Sequence, residues 1–136
     1  MSIQISETLT LKESVVANYF SSINQEEFEQ TADLFSKDGT LLAPFEKPIV
    51  GREAIANYLA KEAKGMKLIP KEEIREATPD EFTKIQIVGK VKTSLFSVNV
   101  TWYFSLNQAQ QISVAKIKLI ASPQELLGLQ KTRKTN

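Results

Sequence analysis

Between residues 83 and 120 apolar side chains return at every second position through three consecutive runs, and this period constrains the chain more than any other feature. In TKIQIVGKVKTSL, Ile85, Ile87, Gly89, Val91, Thr93 and Leu95 face one way, while Gln86, Lys90 and Lys92 face the other. In VNVTWYFSL, Val98, Val100, Trp102, Phe104 and Leu106 oppose Asn99, Thr101, Tyr103 and Ser105. In QISVAKIKLIA, Ala115, Ile117 and Leu119 oppose Lys116 and Lys118. A period of two is that of strands covered on one face. The first two runs leave little room for a loop, which predicts a long antiparallel hairpin. KLIPKEEIREAT, from residue 67, reads as a further strand, and Pro70 assigns it to a sheet edge or a bulge.

The N-terminal third carries the helical period instead. Thr10 and Glu13 form a capping box, after which Leu11, Val15, Val16, Tyr19 and Ile23 recur at helical spacing. Asn24 with Glu27 repeats the device for a second helix whose buried stripe is Phe28, Ala32 and Phe35. DGT at 38–40 predicts a turn into a short strand, Leu41 to Ala43. PFEKPIVG is a proline-rich connection, and REAIANYLAKEAK a third helix burying Ile55, Tyr58 and Leu59. Near the end, Ser122-Pro123-Gln124-Glu125 caps a short helix, ELLGLQ, before a basic tail at 130–136. Helices followed by long antiparallel strands make the fold class α+β, in one domain over 1–136 with its core at about 10–129. A strongly curved antiparallel sheet around the first helices forms a cone with an open mouth, a shape that commonly holds a ligand.

Composition removes several classes of function. Seventeen basic residues nearly balance sixteen acidic ones, so no net field steers the chain to nucleic acid. Cysteine and histidine are both absent, which takes away thiolate chemistry and the commonest general base and metal ligand. No metal site is predicted. The N-terminus shows no secretory pattern, and no window reaches the roughly 20 apolar residues that span a bilayer, so the expected location is the cytoplasm.

An enzyme acting on a small hydrophobic substrate, an isomerase or hydrolase, needs a carboxylate or histidine on the concave face. The inner strand faces supply none. Asp33 belongs to a solvated helix surface, Asp38 to the turn, and Glu62, one helical turn beyond Tyr58, to the rim of the cone. No nucleophile–base pair is visible, and no catalytic residue is predicted. Two aromatic hydrogen-bond donors, Tyr19 and Trp102, do fall on buried faces. Each donates to a backbone carbonyl, or both converge on one ligand oxygen in an apolar tunnel; periodicity leaves both open.

The order of elements looks like the nuclear-transport-factor-2-like fold. The stretches NYFSSIN, LFSKDGTLLAPFEKPIVGREAI, KEAKGMKLIP, FTKIQIVGKVKT, VTWYFSLN and KIKLIASPQELL closely resemble the C-terminal domain of the cyanobacterial orange carotenoid protein, and specifically its free-standing homologues. The resemblance implies a ketocarotenoid ligand, canthaxanthin or echinenone, with one keto-bearing ring inside the domain. It implies that Tyr19 and Trp102 hydrogen-bond the keto oxygen, and that Leu68, Val91, Thr93, Phe104, Ile117 and Leu119 line or border the tunnel. It further implies a carrier exchanging carotenoid with membranes, by transient contact, and with helical carotenoid proteins, with singlet-oxygen quenching and photoprotection as consequences.

The chain departs from the full-length family in lacking the helical N-terminal domain, and Leu95 stands where those members place a second tryptophan. Glu62 matches a carboxylate that pairs with that helical domain. A domain of this length has a radius of gyration near ~14 Å, so a rigid C40 polyene protrudes, and a homodimer is the simplest cover for its other end. The outer face of the last strand, with Ile112, Val114 and Ile120, is one contact surface for it, and the C-terminal helix is a device to close the tunnel or simply to cap the sheet. The remaining alternatives are a small enzyme of the same fold and an interaction module with an empty cone.

Overall fold

A computed structural model describes residues 14–77 and 83–120. Within them the chain runs α1 (Ser14–Asn24), α2 (Phe28–Asp33), β1 (Phe35–Leu42), β2 (Ile49–Val50), α3 (Arg52–Glu62), β3 (Lys67–Ala77), β4 (Thr83–Lys92), β5 (Ser97–Leu106) and β6 (Ile112–Ile120). The Thr10–Glu13 capping box, the helix ELLGLQ with its cap, and the basic tail lie outside the described residues.

The α+β class holds, with one change to the sheet. Its six strands are ordered β2-β1-β6-β5-β4-β3 and form a curved, mixed sheet, because β1 and β6 pair in parallel while every other pair is antiparallel. The hairpin expected from the two-residue period is β4–β5, in which Ile85, Ile87, Gly89 and Val91 stand opposite Phe104, Trp102, Val100 and Val98. On the far side of β5, Phe104, Trp102 and Val100 face Ala115, Ile117 and Leu119 of β6. One apolar face therefore continues across three strands, and the buried stripe of α1 (Val15, Val16, Tyr19, Phe20, Ile23) joins it in a single core.

Four local readings are corrected. The DGT segment is not a turn before a short strand; it lies inside the eight-residue β1, whose register shifts between Phe35 and Thr40. Gly39 permits that close approach, since a Cβ there would stand 2.9 Å from the Ile112 carbonyl oxygen. Phe35 opens β1 rather than extending α2, although it is fully buried as expected. Asn24 caps no helix: its Nδ2 donates to the Leu68 carbonyl at 2.9 Å, and its Oδ1 accepts from the Leu68 N–H at 2.7 Å. The N-cap of α2 is Glu27, which makes no side-chain capping bond. Finally, Ile112 is not on the outer face of β6. A bulge inserts Ser113 between the Leu106–Ile112 and Ser105–Val114 pairs, so Ile112 turns inward and is fully buried. The Ser113 hydroxyl donates to the Ser105 carbonyl at 2.9 Å and fastens the bulge.

Pro70 behaves as its chemistry requires. Strand β3 is the edge of the sheet, and its register shifts between Pro70 and Glu72. Opposite it, Gly89 has no room for a side chain, because a Cβ there would overlap the Ile69 carbonyl oxygen.

Two stability effects follow. Asn24→Ala removes both bonds to a part-buried backbone pair and is expected to cost about 2 kcal/mol, read as a lower urea midpoint. Gly89→Ala forces β3 away from β4 and is expected to cost about 3 kcal/mol, with the largest loss of amide protection along those two strands.

Candidate ligand-binding site

The inner face of β4–β6, the α1 stripe, α3 and the 43–48 loop enclose an apolar cavity of about 480 Å³. Its depth can be followed along β5. Trp102 and Val100 are 1% exposed, Val98 is half-buried, and Phe96 at the hairpin end is 56% exposed. At about 3.3 Å per strand residue, Trp102 lies roughly 20 Å from Phe96. Phe45 and Leu119 stand with Phe96 at the exposed mouth, and Phe45 is 95% exposed with a positive φ of 64°.

Of the residues picked out from sequence, Tyr19, Leu68, Val91, Trp102, Ile117 and Leu119 line this one cavity. Phe104 and Thr93 do not. Phe104 packs behind the wall, edge-on to Tyr19 with ring centroids 5.0 Å apart, and belongs to the aromatic cluster that fixes the two donors. In that cluster Phe20 meets Trp102 edge-on at 4.7 Å and Phe104 at 6.0 Å, while Phe35 lies 6.4 Å from Tyr19. Edge-to-face pairs of this kind are worth about 0.5–1.5 kcal/mol each beyond their burial. Thr93 works at the hairpin turn: its hydroxyl accepts from the Leu95 and Phe96 N–H groups, both at 3.1 Å, and so positions Phe96 at the mouth.

Tyr19 and Trp102 are both almost wholly buried. Among the described residues neither the Tyr19 hydroxyl nor the Trp102 indole N–H has a protein acceptor, and no fully sealed side-chain polar atom lacks a partner. The two polar tips are therefore not closed in by protein; they open on the cavity that both residues line. A buried donor without a partner is costly, and an acceptor placed in the cavity would complete both. Burial, and behind it Tyr58, push the Tyr19 phenol well above its usual range, so it remains a protonated donor.

Several lining residues were not singled out from the sequence, among them Leu41, Tyr58, Met66 and Phe96. Tyr58 had a helical signal, and Val98 and Val100 share the face of Trp102, but residues in the 43–48 loop and the hairpin end carry no period. Glu62, expected at the rim, does line the cavity, and Glu46 joins it there. Burial raises the Tyr58 phenol, and the Glu46 and Glu62 carboxylates raise it further. A smaller hollow of about 340 Å³ on the outer sheet face is lined by Lys84, Gln86, Tyr103, Lys116 and Lys118 among others. Among the described residues it has no buried side-chain donor in its lining, so the inner cavity is the better candidate. No group of three metal-ligating side chains occurs among the described residues.

Architecture and cavity together describe a cone-shaped domain with an apolar interior and two deep donors. Residues 11–116 match the Nuclear transport factor 2 (NTF2) domain, and the chain belongs to that family. More particularly, it is 39% identical over 120 residues to the orange carotenoid-binding protein of Limnospira maxima, and 39% identical over 119 residues to that of Synechocystis sp. (strain ATCC 27184 / PCC 6803 / Kazusa). Each match takes in 85% of this chain but 38% of the relative's length, and the region matched is the relative's C-terminal domain. The structure of the orange carotenoid protein of Anabaena (Nostoc) sp. PCC 7120 binding canthaxanthin superposes with a TM-score of 0.79 at 34% identity, covering 89% of this chain and 40% of that one.

The Tyr19 phenol sets a pH dependence whose sign is fixed. Its pKa is raised on folding, so the native state holds a proton that the unfolded chain releases near pH 10. The associated stability is complete below pH 10 and declines above it, by about 1.4 kcal/mol per pH unit for one such group. Urea unfolding from pH 9 to 11 should show this decline, and Tyr19→Phe should flatten it.

Proposed function

We propose that this chain is a ketocarotenoid-binding carrier and not an enzyme. The observation that carries the proposal is the pair of buried donors, Tyr19 and Trp102, opening without protein acceptors on one apolar cavity. A neutral carbonyl oxygen between them completes both. The polyene behind it replaces water along Val91, Val98, Val100 and Ile117. Each neutral hydrogen bond contributes about 0.5–1.5 kcal/mol net, so burial of the conjugated chain supplies most of the affinity while the donors set its register. Drawing electron density toward the carbonyl also shifts the ligand's absorption. The similarity to a protein whose structure binds canthaxanthin supports this ligand class, with echinenone as the other candidate.

The cavity has one deep end and one open end. A C40 ketocarotenoid seated at Tyr19 and Trp102 extends beyond the mouth, and a second copy of the chain covers the protruding half. The carrier is then a homodimer that takes carotenoid from membranes by transient contact and passes it to, or receives it from, helical carotenoid proteins in the cytoplasm. Quenching of singlet oxygen belongs to the cargo. No helix among the described residues is long and apolar enough to cross a membrane, which accords with that role. Against catalysis stands the chemistry of the described lining: its carboxylates, Glu46 and Glu62, are exposed, and its buried donors, Tyr19 and Trp102, are neutral.

The test is the visible spectrum of protein produced in cells that make canthaxanthin, beside Tyr19→Phe and Trp102→Phe. A red-shifted, protein-bound band is expected, moved toward the blue or lost in each variant. A colourless wild-type protein would overturn the carrier reading.

A further inference from the structure

The charged groups of the cavity are distributed in a way that ligand burial does not require. Among the described lining residues only Glu46 and Glu62 are charged; both are acidic and exposed, and they flank the half-buried Tyr58. Among the described residues no lysine or arginine belongs to the lining. Tyr19 and Trp102, the unpartnered donors, are by contrast almost wholly buried. We infer that Glu46 and Glu62 make the cavity select against carboxylate-headed lipids, such as free fatty acids and other acidic amphiphiles, in favour of neutral carbonyl-headed ones. The inference rests on the carrier reading above and adds to it the rule by which ligands are refused.

An acidic amphiphile has two ways to enter. Tail first, it leaves its carboxylate in water at the mouth, ordinarily the easier mode for an apolar pocket. Here that position lies beside two carboxylates of the same sign. At a water-filled rim, a unit charge about 7 Å away weakens anion binding roughly threefold, so two weaken it roughly tenfold. Head first, the carboxylate is carried to Tyr19 and Trp102, where two neutral donors do not offset the desolvation of a full charge that finds no cation. A ketone or ester carbonyl meets neither obstacle. The distinction matters for any protein that draws its ligand from a bilayer, where acidic amphiphiles with long apolar tails compete for the same opening.

The experiment uses the wild-type chain, Glu46→Gln/Glu62→Gln, and two probes sharing one conjugated skeleton, methyl retinoate and sodium retinoate. Trp102 is the single tryptophan and lines the cavity, so quenching of its fluorescence reports occupancy of this site. In wild type at low salt the ester is expected to bind more tightly than the anion. The double variant should narrow that ratio about tenfold, and 1 M NaCl should narrow it in wild type but little in the variant, since screening acts only where the charges remain. A ratio unchanged by both the substitutions and salt would overturn the inference, because selectivity would then come from desolvation alone. Tighter binding of retinoate than of the ester by wild type would overturn it as well. Failure of both probes to quench Trp102 would overturn the carrier reading and this inference together, which separates the two failures.

Discussion

The contact on which the rest of the structure depends is the packing of α1 against the continuous apolar face of β4, β5 and β6. It centres on four rings: Tyr19 and Phe20 from the helix, Trp102 and Phe104 from β5. These aromatics do two things at once. Their edges and faces hold the helix in place against the sheet, and their placement leaves two polar tips pointing away from the contact into the cavity. Had the helix been rotated by one position, Asn18 or Phe20 would stand where the Tyr19 hydroxyl now opens. Fold and site are therefore one arrangement. Phe104, which does not itself line the cavity, packs edge-on against Tyr19, which does.

Much of this was legible because strand periodicity is strict. Once Trp102 and Val100 are placed on one face, Ile87, Gly89, Ile117 and Leu119 follow by pairing. The reading failed where a single residue breaks the count. Ser113 is such a residue: it adds one position to β6, and Ile112 passes from the outer face to the core. DGT failed differently. An aspartate and a glycine in succession carry the chemistry of a turn, but Gly39 serves the close approach of β1 to Ile112 instead. Asn24 has the composition of a cap and the partner of a clamp, and no local pattern reveals a contact to Leu68 across 44 residues. The parallel pairing of β1 with β6 is invisible for the same reason.

The site divides along this line. Its floor and walls come from periodic elements and were readable, as were Glu62 and Leu119 at the mouth, whereas the rest of the mouth comes from the 43–48 loop and the 93–96 turn. There the side chains answer to tertiary position, and the sequence signal is a local one: Thr93 gathering the Leu95 and Phe96 amides.

The break at Pro70 has a consequence for how copies of this domain meet. Sheet order leaves two borders, the two-residue β2 and the long β3. A long, regular border is a template onto which another chain can lay a strand, and continued addition leads to fibres. Strand β3 is spoiled as a template: Pro70 has no N–H to give, the register slips beside it, and Lys71 and Glu72 stand exposed. Open-ended, strand-by-strand addition is thereby disfavoured at this border, so copies of the domain that meet do so more readily through contacts that close on themselves.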